Sequence, residues 1–293
     1  MSTKRVTVLG TGLMGAGMAR SLARAGLDVG VWNRSADRAR PLAADGITVH
    51  EDPVAAVANA DVVVTMLFDA DAVTEVMTRA LPAMRRDALW MQTSTVGLDA
   101  TARLAELASQ YGVGFLDSPV LGTRQPAENG KLTVLVGGPS TLRDAAGPVL
   151  DAIGARTVWV GERPGDGHRL KLVANSWVLS VTAGVAQGIA LARNLGVDPA
   201  LLLDAISGGP LDSQYAQVKG RAIIEGEFAP AFGLSGARKD AELIAAAMRE
   251  TGTDARLMSA LRDEFLAAER AGHGREDMAA VAFAFTNPAG KAE

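Results

Sequence analysis

A β-branched run that passes straight into three spaced glycines narrows the possible folds of this chain more than any other feature. Val6-Thr-Val-Leu leads directly into Gly10-Thr11-Gly12-Leu13-Met14-Gly15, a strand followed by G-x-G-x-x-G at the opening of a helix. Each glycine has a task in such a turn. Gly10 permits the tight bend, Gly12 lets backbone approach a pyrophosphate, and Gly15 lets the helix pack closely on the strand, while the helix N-terminus faces the negative charge. Alone the motif is weak, because an Ala/Gly-rich chain can use it as a plain strand–helix turn. Its place at the head of a βαβ series points to a dinucleotide, with Thr11, Leu13 and Met14 as candidate contacts beside the glycines.

A second run, Asp28–Trp32, ends about twenty residues on, where an NAD-binding chain offers an acid to the ribose hydroxyls. This chain offers Asn33-Arg34-Ser35, with Arg38 one helical turn further. A neutral residue beside two guanidinium groups fits a 2′-phosphate that an acid would repel, so NADP(H) is expected over NAD(H). The alternative is that Arg34 and Arg38 form a solvated helix start.

From the start to about residue 161, short β-branched runs alternate with helix-like Ala/Arg stretches. The runs are Arg5–Leu9, Val29–Trp32, Val62–Met66, Ala88–Gln92, Gly114–Asp117, Leu132–Val136 and Thr157–Val160. Such runs without polar alternation suit strands covered on both faces, the condition of a parallel sheet. Asp52-Pro53 supplies a helix cap and a first-turn proline, and Asp198-Pro199 repeats the device. After the turn-rich Glu162–Gly167, apolar residues recur at helical spacing, as in Leu170, Val173, Trp177 and Val181. The expected fold is α/β. A Rossmann-type doubly wound sheet over residues 1–161 precedes an all-α helical domain over residues 162–293, with residues 287–293 fraying at the end.

Composition removes several classes of function. The balance of 29 Lys+Arg against 33 Asp+Glu, a net charge of −4, leaves no electrostatic footprint for nucleic acid or anionic lipid. The absence of cysteine excludes thiol nucleophiles, disulfides and Cys-ligated zinc, and it suits the cytoplasm. Met1 to Ala19 imitates a secretory signal, but Gly10, Gly12, Gly15 and Gly17 make it a poor hydrophobic helix. Leu170 to Ala192 is nearly long enough to span a bilayer and carries Gly184-x-x-x-Gly188. Lys171, Asn175, Ser176, Thr182 and Gln187 make it too polar, so a long buried helix and no membrane partner are expected. His50-Glu51-Asp52 has metal-ligand residue types without ligand spacing, and no metal is expected.

Four segments together resemble the β-hydroxyacid dehydrogenase family, which includes 3-hydroxyisobutyrate dehydrogenases, tartronate semialdehyde reductases and glyoxylate/succinic semialdehyde reductases. They are Gly10–Ala19, Asp117-Ser-Pro-Val-Leu-Gly-Thr-Arg-Gln-Pro-Ala-Glu-Asn-Gly130, Gly165-Asp-Gly-His-Arg-Leu-Lys171-Leu-Val-Ala-Asn175 and Lys239-Asp240. The resemblance implies that Lys171 is the catalytic proton donor or acceptor and that Asn175 positions the reacting oxygen. Residues four apart on a helix share a face, so both side chains can reach one atom. A carbonyl reduced by hydride needs a proton, and an unperturbed lysine, with a pKa near ~10.4, starts protonated at pH 7. Without the preceding Gly-x-Gly, Lys171 reads as a surface lysine.

The resemblance also places Ser94 and Thr95 where the family holds nicotinamide and substrate, and Met66-Leu67-Phe68 in the loop under the cofactor. An ordinary Ser/Thr turn and an apolar strand end are the alternatives. Lys239 resembles a substrate-pocket lysine, with a solvated helix-start lysine as the other reading. His168 reads as an exposed helix-start histidine that has a possible part in tuning Lys171. The chain leaves the family pattern at Pro119-Val-Leu121-Gly122-Thr123, where Pro-Val-Ser-Gly-Gly is usual. Losing the serine hydroxyl from a carboxylate site costs about 1.5 to 3 kcal/mol, unless Leu121 points into the core.

The expected activity is NADP(H)-dependent interconversion of a small carboxylate-bearing aldehyde or ketone and its hydroxyacid, at a site between the two domains. The resemblance implies a homodimer or homotetramer formed through the helical domains. Imine reduction is the nearest rival, disfavoured by a lysine at position 171. A non-catalytic NADP-binding interaction protein is the rival of another class, and intact Lys171 and Asn175 argue against it.

Overall fold

The computed structural model describes residues 3–286, so the tail expected to fray lies outside the described residues. The chain forms two compact units, one ending at Lys171 and the next beginning at Leu172. The first unit is built on β1 (Arg5–Leu9), β2 (Asp28–Trp32), β3 (Thr48–His50), β4 (Val62–Thr65), β5 (Leu89–Gln92), β6 (Gly114–Asp117), β7 (Val120–Leu121), β8 (Leu132–Gly137) and β9 (Gly154–Gly161). They make one sheet in the order β3-β2-β1-β4-β5-β6-β8-β7, with β9 on β8. From β3 to β6 every pairing is parallel, whereas β8 runs antiparallel to β6 and β7. The strand order reverses between β1 and β4, which opens a crevice beyond their carboxyl ends.

The β-branched runs form strands because both faces of the sheet are covered. Val6, Val8, Val29, Val31, Val62 and Val64 share a core with helices α1 (Leu13–Arg24) and α6 (Arg143–Ile153). The alternate residues Leu9, Val63, Trp90 and Phe115 pack on the other face with α2 (Pro53–Val57), α3 (Ala70–Ala80) and α4 (Leu98–Gln110). Asp52 caps α2 as expected, its carboxylate accepting from Ala55 N–H at 3.3 Å. A short helix α5 (Arg124–Glu128) follows β7. The sequence runs do not include β3 and β7, strands too short to show a period.

Helix α7 (Asp166–Asn194) begins in the first unit and continues into the second, where α8 (Ala200–Ile206), α9 (Gln214–Glu225), α10 (Leu234–Glu250) and α11 (Arg256–Ala268) follow. By length and composition α7 is apolar enough to cross a membrane, with a mean hydropathy of 1.3. One face of it is buried in the protein. That face carries Lys171, Asn175 and Thr182 among Leu172, Leu179, Ala183, Ala186 and Ile189. In the second unit a buried ion pair joins Lys219 of α9 to Asp277, with Nζ and Oδ1 2.5 Å apart.

Candidate cofactor and active site

The glycines after β1 divide their tasks in space. Gly10 has φ +104°, and a Cβ there would strike Met66 O and lie 2.8 Å from Leu67 Cδ2. A Cβ on Gly15 would strike Gly10 O, so both positions are closed by packing. Gly12 differs, because a Cβ there meets nothing within 4 Å and the loop is open on that side. Beside it Thr11 Oγ1 is buried without a hydrogen-bond partner. Helix α1 starts with neither a side-chain cap nor an acid in its first turn, which leaves its N–H groups to an anion. Open backbone, an orphaned hydroxyl and an uncapped helix end fit a pyrophosphate. Leu13 is exposed and Met14 half-buried at the rim.

Asn33 sits at the end of β2 and spends both ends of its amide on backbone. Its Oδ1 accepts from Thr11 N–H at 3.0 Å, and its Nδ2 donates to Ser35 O at 3.0 Å. It therefore braces the glycine loop, while Arg34, Ser35 and Arg38 are exposed around it.

Ser94 is equally committed. Its hydroxyl accepts from Leu67 N–H at 2.8 Å and donates to Thr65 O at 3.3 Å, at 1% exposure. Gln92 holds its backbone from both sides, accepting from Ser94 N–H at 2.7 Å and donating to Ser94 O at 2.8 Å. Ser94 thus fixes the Met66–Phe68 loop, which projects Phe68 outward, while Thr95 beside it is half-buried.

Lys171 is not a surface lysine. It is 8% exposed, and its Nζ donates to Val120 O at 2.7 Å. One turn further along α7, Asn175 is buried and its Nδ2 donates to Asp240 Oδ2 at 2.6 Å. The other Asp240 oxygen lies 3.0 Å from Lys239 Nζ, so Lys239 is paired within α10 rather than solvated. Asp240 holds both Asn175 and Lys239. In the sequence it stands out only as the neighbour of Lys239, with no spacing that ties it to Asn175.

Two family descriptions match the chain in succession. The NAD binding domain of 6-phosphogluconate dehydrogenase covers residues 5–161, and the NAD-binding region of NADP-dependent 3-hydroxyisobutyrate dehydrogenase covers residues 165–285. The chain belongs to the β-hydroxyacid dehydrogenase family. Glyoxylate/succinic semialdehyde reductase 2, chloroplastic, of Arabidopsis thaliana is 30% identical over 96% of this chain and 79% of its own. The structure of 3-hydroxyisobutyrate dehydrogenase from Salmonella typhimurium matches with a TM-score of 0.89 at 25% identity, covering 96% of this chain and 99% of that one. That of Mycobacterium tuberculosis 3-hydroxyisobutyrate dehydrogenase matches at 0.86 and 29%, covering 98% and 100%. This β-hydroxyacid dehydrogenase is accordingly an NAD(P)-dependent oxidoreductase.

Its departures from the family pattern take definite positions. Val120 is the residue of β7 that enters the core, so Leu121, half-buried, lies on the opposite face of the strand. Gly122 is exposed with φ +128°, and Thr123 precedes α5. His168 overturns the expectation of an exposed helix-start residue: it is fully buried, hydrogen-bonded to Asp117 and Val96.

Proposed function

We propose that this enzyme reduces small carboxylate-bearing aldehydes or ketones with NADPH and runs the reverse oxidation of the hydroxyacid. The observation that carries the reading is the Lys171 ammonium, buried on α7 and held by Val120 O one turn before Asn175. Bound nicotinamide supplies or accepts the hydride. Lys171 holds the proton that the nascent alkoxide takes up, and its charge stabilises that oxygen as it becomes negative. Asn175, fixed through Asp240, orients the same oxygen. The relatives named as glyoxylate/succinic semialdehyde reductase and 3-hydroxyisobutyrate dehydrogenase support this substrate class.

NADP(H) is favoured because β2 ends in Asn33 rather than an acid, with Arg34 and Arg38 exposed beside it. The helical domain, expected from residue 162 onward and compact from Leu172, supplies substrate contacts and the oligomer interface. Val173, Trp177 and Leu191 leave α7 with an exposed apolar face, Trp177 being 70% exposed, which suits a homodimer or homotetramer. A cysteine-free chain suits the cytoplasm, the compartment we assign.

The test is oxidation of NADPH and NADH over glyoxylate, succinic semialdehyde, tartronate semialdehyde and a cyclic imine. Turnover of the carbonyl acids with NADPH is expected. Lys171→Ala is expected to lower kcat by about 10² to 10⁴ with NADPH binding retained. A variant that keeps most of its activity removes Lys171 from the mechanism.

A further inference from the structure

A fully buried carboxylate and imidazole join three segments of the first unit. Asp117, at the end of β6, accepts at Oδ2 from Gly165 N–H and His168 N–H, each at 2.9 Å, and so caps the first turn of α7. Its Oδ1 lies 2.5 Å from His168 Nδ1. On the opposite edge of the ring, His168 Nε2 accepts from Val96 N–H at 3.1 Å. The partners assign the tautomer: Nδ1 carries hydrogen toward the carboxylate, and Nε2 keeps its lone pair for the backbone donor. A hydrogen on Nε2 would face the Val96 N–H instead of accepting from it. The ring is therefore a strut of fixed polarity.

The segments it joins are those that carry the proposed chemistry. His168 is three residues before Lys171, and Lys171 is itself braced on Val120, three residues after Asp117. The helix start packs closely on the strands, since a Cβ on Gly167 would lie 2.5 Å from Leu135 O, 2.8 Å from Asp117 O and 3.1 Å from Pro119 Cδ. At the other end of the strut, Val96 follows Ser94 and Thr95, and Ser94 Oγ holds Leu67 N–H at the loop that closes over Gly10.

We infer that His168 is a positioning residue, which sets loop 94–96 against the helix that bears Lys171 by accepting from Val96, while its bond to Asp117 fixes which nitrogen faces the loop. The inference rests on the carbonyl-reductase reading given above, and it assigns the ring no proton transfer.

Two amide variants separate the halves of the strut. His168→Gln places an amide oxygen near the Nε2 position, where it accepts from Val96. His168→Asn places an amide nitrogen near Nδ1, where it donates to Asp117 but falls short of Val96. Melting temperature, amide hydrogen exchange at Val96, and kcat and KM for a carbonyl acid are measured for both. With the strut in this role, His168→Asn exposes Val96 N–H to exchange and lowers kcat by about 10- to 100-fold with KM little changed, the scale of a misplaced reacting geometry. His168→Gln keeps Val96 protected and stays near the wild-type kcat, although both variants melt at similar temperatures. Activity that merely follows melting temperature overturns the positioning role, as does a His168→Asn enzyme with wild-type kcat. Unchanged Val96 exchange in His168→Asn removes this proposal alone. A wild type that turns over no carbonyl acid removes the reductase reading, and with it the kinetic part of the role.

Discussion

Asp117 and Asp277, one in each unit, are both buried aspartates with a side-chain partner 2.5 Å away, yet they do different work. Asp277 accepts from Ala279 N–H at Oδ1 and from Ala231 and Phe232 N–H at Oδ2, and it pairs with the Lys219 ammonium. These bonds gather the start of α10 and the segment after α11 onto α9. Asp117 gathers the start of α7 in the same manner, but its partner is an imidazole with a second nitrogen on the far edge. An ammonium delivers charge to the carboxylate; an imidazole passes a direction through itself to Val96. A buried carboxylate thus serves stability or function according to what its partner holds on the other side.

The largest effect that sharpens this contrast is on stability. Asp277→Ala leaves the Lys219 ammonium buried at 6% side-chain exposure without its carboxylate, and it strips three backbone N–H groups of their acceptor. Loss of one partner from a buried pair costs about 3 to 5 kcal/mol, read by urea unfolding. Activity of the folded fraction is expected to survive, opposite to His168→Asn. If the folded Asp277→Ala enzyme loses kcat as His168→Asn does, the two aspartates are not functionally distinct.

A smaller effect is expected at Asn33, a strut at the edge of the cofactor loop whose two amide ends both hold backbone. Asn33→Asp keeps an acceptor for Thr11 N–H, but it turns the donor to Ser35 O into an acceptor and adds a negative charge beside Arg34. Preference is expected to move from NADPH toward NADH by about 1 to 3 kcal/mol in the ratio of kcat/KM values. A wild type that already prefers NADH breaks the reading of this loop.

Asn33 also shows where sequence reasoning stops. The glycine loop was legible because its three positions act within six residues of one turn, and most of the sheet because strands such as β1 and β4 are apolar, β-branched runs, whereas β3 and β7 are too short to show one. The orientation of the Asn33 amide was not, since Thr11 lies 22 residues away. Separation grows where the chemistry lies. Val96 is 72 residues from His168, Asp240 is 65 from Asn175, and Val120 is 51 from Lys171. Residue type and helical spacing put Lys171 and Asn175 on one face of a helix. Nothing local marks His168 as buried, because a charged-rich helix start with a histidine looks the same whether or not a strand end supplies an aspartate beneath it.

The smallest predicted effect lies beside the Val120 carbonyl that holds Lys171. Successive residues of β7 face opposite sides, and Val120 is the one that enters the core, so Leu121 is not required there. Leu121→Ser is therefore expected to leave stability nearly unchanged. Where the family's serine bears on a substrate carboxylate, the restored hydroxyl adds one hydrogen bond to a charged group, and at a half-buried position it gains the low end of the range for such bonds, about 1.5 kcal/mol and so about 12-fold in kcat/KM for glyoxylate. The removed isobutyl group takes apolar contact from a larger substrate at about 25 cal/mol per Å² covered, so a branched carbonyl acid is expected to lose. The opposed shifts matter more than either alone, because a change in Lys171 placement through Val120 would move both substrates the same way. Parallel losses would show that Leu121 acts on the brace of the catalytic amine; unchanged ratios in a folded variant would show that it does not select substrate.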